Sequence, residues 1–108
     1  MKLYHITPKK NLESILTNGL IPGHKRGLGK GCNVIFLTDN PKFILNTQAG
    51  PNWIEQHKPV ILEVDTELYV LRPYRNGAGQ AIHEYVCKKH IKAKHIMHVR
   101  LNGKDTTL

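Results

Sequence analysis

The chain has 108 residues, 40% hydrophobic and 6% aromatic, with 16 Lys and Arg against 8 Asp and Glu for a formal net charge of +8. That length suits one domain, residues 1–108, and excludes two independent cores. No apolar run approaches the roughly 20 residues of a membrane span, no signal-peptide stretch opens the chain, and low-complexity tracts are absent, so a folded cytoplasmic protein with no membrane partner is expected.

Residues 2–7 read as a strand, in which Leu3, Tyr4 and Ile6 favour β structure. Thr7-Pro8 ends it, and Thr7 is expected to cap the helix that follows. Leu12, Ile15 and Leu16 then fall on one helical face. Gly19 reads as the left-handed residue past the helix end, with Leu20 folding back and Pro22 barring continuation. Residues 22–33 are a Gly-rich basic loop. Residues 33–38 form a second strand, Asp39-Asn40-Pro41 a turn or cap, and Phe43-Ile44 a short helix. Residues 48–58 are ambiguous, with Trp53 and Ile54 as anchors. Val60 to Val64 is a strand, 65–71 a turn and 72–79 a polar loop. Residues 81–87 form another strand, followed by a short turn and a last strand over 96–101. The late strands are joined by links too short for parallel crossovers, so the class is α+β with a mixed or largely antiparallel sheet.

The chemistry concentrates at three separated places. Glu84, in Ala81-Ile82-His83-Glu84-Tyr85-Val86, is a carboxylate within an apolar strand, costly to bury unless paired or working. His5 lies in the first strand and Phe36 in the second. The plain readings are a solvent-facing or lysine-paired Glu84, a backbone-satisfied His5 and a Phe36 that only packs. The loop from Gly23 to Gly31 either cradles a diphosphate on its backbone N–H groups, with Lys25, Arg26 or Lys30 balancing charge, or is an ordinary surface loop; its spacing matches neither the Walker nor the dinucleotide glycine pattern. Seven histidines include His90, His95 and His98, but the spacing of a metal motif is missing, and no metal is expected. Cys32 and Cys87 are expected as free thiols. The basic excess attracts polyanions, which makes nucleic acid the candidate macromolecular partner.

The segments Leu3-Tyr4-His5-Ile6-Thr7, Asn11 to Leu20, Val34-Ile35-Phe36-Leu37-Thr38 and His83-Glu84-Tyr85-Val86 together resemble the ADP-ribosyltransferase superfamily. The resemblance is to its His-aromatic-Glu branch, which includes poly(ADP-ribose) polymerases, DarT-type DNA-modifying toxins and, more distantly, RNA 2′-phosphotransferases. It implies a minimal domain with a split sheet and a few short helices. It also implies NAD as co-substrate, with ADP-ribose passing to a nucleic-acid or protein acceptor and nicotinamide leaving. Glu84 would then stabilise an oxocarbenium-like ribose and His5 would bond a ribose hydroxyl. Thr7 and the Ile6 backbone would support the ligand, and Phe36 would stack on nicotinamide. Two positions depart from the pattern: Phe36 stands where Tyr is usual, and Ile6 where a small residue is usual. Two other activities stay open beside transfer: a non-catalytic NAD or ADP-ribose-binding module of the same fold, and 2′-phosphate removal from RNA. A small nucleic-acid-binding protein is a further reading, driven by charge alone.

Overall fold

The first strand forms as Lys2–Thr7 (β1) in the computed structural model, which describes residues 2–23, 34–46, 50–75, 81–101 and 104–105. The other main strands are Ile35–Thr38 (β2), Val60–Asp65 (β3), Arg72–Arg75 (β4), Ala81–Cys87 (β5) and Ile96–His98 (β6). They make one six-stranded sheet in the order β4-β5-β2-β1-β3-β6, and every ladder is antiparallel. The short links after β3 and β5 leave no length for a parallel crossover.

Three helices accompany the sheet: Leu12–Asn18 (α1), Pro41–Ile44 (α2) and Pro51–His57 (α3). A single 3-10 turn, Lys9–Asn11, separates β1 from α1. α2 starts as its sequence suggests: the Asn40 side chain accepts from the Phe43 N–H at 3.1 Å, and Pro41 fills the first turn, where no N–H is needed. Residues 48–58, ambiguous in sequence, contain α3.

Gly19 ends α1 with φ +84, and its N–H donates to the Ile15 carbonyl at 2.7 Å. A Cβ there would overlap the Ile91 carbonyl oxygen. The close approach lets Leu20 and Ile91 exchange two backbone hydrogen bonds of 2.9 Å, which fastens the segment after β5 to the end of α1. Alternation along the strands sends Leu3, Leu37, Leu62 and Val64 to one face, where they pack with Ile15 and Ile91 as the main core. Phe36, Ile61 and Leu45 are also buried but lie outside that cluster.

Four expectations are corrected. Thr7 caps no helix: it ends β1, and its hydroxyl accepts from the Asn11 side chain at 3.4 Å. Leu16 is 41% exposed, because so short a helix turns only a narrow stripe, centred on Ile15, toward the sheet. Residues 72–75 are an edge strand and not loop; Pro73 is tolerated there because an edge strand has one side with no ladder to supply. The last predicted strand divides, with β6 ending at His98 and Arg100–Leu101 (β7) pairing instead with Lys104–Asp105 (β8).

Leu62 is fully buried, so Leu62→Ala should destabilise by about 2–5 kcal/mol through lost transfer energy and the cavity left behind. Gly19→Ala should cost about 1–3 kcal/mol from the backbone conformation alone, with the Ile91 overlap added. Denaturant midpoints at constant slope check both.

Candidate functional site

The sheet is nearly divided in the middle. β1 pairs with β3 through all six residues, from Lys2↔Asp65 to Thr7↔Val60, but with β2 only at Tyr4↔Thr38. Past that pair no backbone ladder joins β1 to β2. The His5 ring spans the opening and donates from Nδ1 to the Phe36 carbonyl at 2.9 Å. Because a carbonyl oxygen can only accept, Nδ1 carries a proton in that bond.

β2 pairs with β5 in continuous register, with Phe36 opposite Val86 and Thr38 opposite Glu84. Directly paired residues share a face. Tyr4, Thr38 and Glu84 therefore form one row across three strands, and Ile6 and Phe36 lie on the same face two positions along. His5 and Thr7 alternate to the other face, toward α1. There they line an open depression of about 330 Å³ with Asn11, Ser14 and Asn18. Phe36 and Glu84 are outside that lining. His5 thus belongs to the α1 side of the opening and touches Phe36 through its backbone, while Glu84 stands one strand away on the Phe36 side. Glu84 is half-buried, and Phe36 is only 8% exposed. Lys25 and Arg26 lie outside the described residues.

The backbone beside Glu84 is unusual. His83 has φ +60, a left-handed conformation inside a strand, and such a residue costs on the order of 1–3 kcal/mol unless its surroundings hold it. The β4–β5 register shifts here, from Tyr74↔Glu84 to Arg75↔Ala81, so two residues of β5 bulge out before Glu84. Several bonds hold the bulge. The Thr38 hydroxyl donates to the His83 carbonyl at 2.6 Å, and the Asp39 N–H approaches the same carbonyl at 3.3 Å. The Asp39 carboxylate meets His83 Nδ1 at 3.0 Å and accepts from the Tyr85 hydroxyl at 3.2 Å. The Phe43 ring packs edge-on against the His83 imidazole, centroids 4.7 Å apart.

The sequence reading passed over this Asp39-His83-Tyr85 cluster. Its one local trace is the polar pair Thr38-Asp39 closing an apolar strand, and the partners are more than forty positions away. Among the described residues, no group of three or more His, Cys, Asp or Glu converges as metal ligands would. No helix among them is long and apolar enough to cross a membrane. The Cys87 thiol is free and buried, donating to the Lys89 carbonyl at 3.4 Å; Cys32 lies outside the described residues. No protein-family model matches the chain, and no curated protein aligns with it closely enough to count as a relative.

Burial of the Tyr85 phenol, then the Asp39 charge, then the hydrogen bond to Asp39, all push the Tyr85 pKa above its ordinary 10.0. A raised pKa means the folded state holds the proton more tightly. The stability this contributes is complete below about pH 10 and is lost as the pH rises through the folded-state value. The phenolate absorbance of Tyr85, isolated by difference against Tyr85→Phe, should titrate above the free phenol and move down in Asp39→Asn.

Proposed function

We propose that this protein is an NAD-dependent ADP-ribosyltransferase, passing ADP-ribose from NAD to a nucleic-acid or protein acceptor and releasing nicotinamide. One observation supports the reading: the sheet opens between β1 and β2, the two strands that hold His5 and Phe36, and Glu84 lies one strand from that opening, opposite Thr38 in the β2–β5 register. The motif resemblance supplies the chemistry. Cleavage of the bond to nicotinamide builds positive charge on the ribose, which a fixed carboxylate stabilises. Glu84 has a strand neighbour in Thr38 on one side and in Tyr74 on the other, so its backbone has little freedom to drift. His5, whose Nδ1 donates to the Phe36 carbonyl, is by the resemblance the residue that would bond a ribose hydroxyl. NAD would lie along the opening, with Ile6 and Thr7 of β1 at its wall.

A second reading, a nucleotide-binding module that does not turn over, is favoured by Phe36. The ring lacks the hydroxyl of the usual Tyr, and it is buried, so stacking on nicotinamide requires it to be uncovered.

Incubation with NAD labelled in its adenylate half, with free nicotinamide and label transfer followed separately, decides between the two. Transfer should fall by two to three orders of magnitude in Glu84→Gln, about what loss of one aimed electrostatic contact costs, with NAD binding retained. His5→Ala should weaken NAD binding itself. Unchanged turnover in Glu84→Gln removes the assignment of Glu84, and tight NAD binding with no nicotinamide release establishes the binding module.

A further inference from the structure

Between Glu84 and Asp105 the sequence contains no acidic residue, yet it holds Lys88, Lys89, Lys92, Lys94, Arg100 and Lys104. The first four fall within seven residues on the connection from β5 to β6, and all four side chains are exposed. The apolar residues interleaved with them turn inward: Ile91 is fully buried and Ile96 nearly so. Among the described residues, none of the four lysines has an acidic partner at ion-pair distance.

This connection is held in place. Leu20 and Ile91 bond each other twice, and the His90 ring donates from Nε2 to the Asn18 carbonyl at 2.7 Å. The Tyr69 hydroxyl accepts from the Lys92 N–H at 3.0 Å and bonds His95 Nδ1 at 2.6 Å. Four like charges thus sit on one fixed segment, and among the described residues no carboxylate offsets their mutual repulsion. An external polyanion relieves that repulsion and releases its own condensed counterions on binding.

We infer that the Lys88–Lys94 ridge docks the phosphodiester backbone of a nucleic acid. The chemistry favours that occupant. A membrane surface would call for exposed apolar side chains among the charges, and within Lys88–Lys94 the one large apolar residue, Ile91, is fully buried. A protein interface relies on aromatic or arginine anchors, which the ridge lacks. Lysines are point charges that meet phosphates without geometric selection; between Lys88 and Lys94 there is no Phe, Tyr or Trp to stack on a base, and the His90 ring is held on the Asn18 carbonyl, so binding is independent of sequence. The inference rests on the transferase reading only in making the bound nucleic acid the acceptor; the binding itself is measured without NAD, so failure of the ridge and failure of transfer register separately.

The test is fluorescence anisotropy on the full chain, with a labelled mixed-sequence DNA strand and with its duplex, across a salt series. Four phosphate contacts give a slope of log affinity against log salt of about −3 to −4, so a fourfold rise in salt weakens binding on the order of a hundredfold. The triple variant Lys88→Ala, Lys89→Ala, Lys94→Ala should flatten the slope by about 2 to 3. The variant Lys9→Ala, Lys10→Ala, Lys42→Ala removes equal charge elsewhere and should leave the slope as it was. The corresponding Lys→Gln triple, with circular dichroism on each variant, separates lost charge from lost fold. Equal slopes in the two charge-matched variants overturn the proposal. So does wild-type protein that ignores DNA while binding phosphatidylserine vesicles or polyglutamate.

Discussion

The hydrogen bond from the His5 ring to the Phe36 carbonyl holds across a sheet that the backbone leaves open. A partly buried carbonyl without a partner costs about 1–3 kcal/mol, and past Tyr4↔Thr38 the ladder between β1 and β2 supplies none. The imidazole takes over what a neighbouring strand's N–H would do. Without it the backbones of the two halves of the sheet, β4-β5-β2 and β1-β3-β6, would be joined by one residue pair, and the shared core below would have to hold the rest. The same bond holds a proton on Nδ1, so the residue that joins the halves is also fixed in ring orientation.

From that junction the placement of Glu84 follows by register. β2 carries Thr38 to Glu84, and the Thr38 hydroxyl reaches one residue back to the His83 carbonyl. The left-handed turn at His83 is thereby secured from β2, the strand that borders the opening, while Asp39 and Phe43 secure the His83 side chain. Histidine is among the residues that tolerate this conformation better than most, and a bulge at that point re-aims the residue after it. The strain at His83 and the position of Glu84 are two consequences of one backbone arrangement.

Much of this was legible in the sequence where the signal is local. The apolar strand residues around Leu3 and from Ile35 to Leu37, the cap at Asn40, and Gly19 before Leu20 each depend on residues a few positions apart, and each appears where the pattern puts it. Link lengths left the sheet mixed or largely antiparallel, and the ladders decide for fully antiparallel. β4 was illegible because Arg72-Pro73-Tyr74-Arg75 has neither alternation nor an apolar run; its strand state comes from the pairing β5 offers, a tertiary term that overrides local preference. Leu16 misled because periodicity reports a stripe and not its width. The Asp39-His83-Tyr85 cluster joins residues brought together only by the β2–β5 register, which no single segment encodes.

Charge distribution separates the molecule into two kinds of surface. Asp39 and Glu84 sit by the opening, and Glu63 pairs with Lys2 at 3.4 Å on β1 and β3, whereas the chain beyond Glu84 holds no acid for twenty positions. A carboxylate is the group that stabilises developing positive charge on a sugar. A polyanion calls for cations instead. On the transferase reading, the strand that delivers Glu84 leads directly into the lysine ridge, so one continuous segment supplies first the carboxylate for the sugar and then the cations for the acceptor. On that reading the acidic site and the basic ridge occupy consecutive parts of one segment, Glu84 within β5 and Lys88 to Lys94 on the connection that follows it.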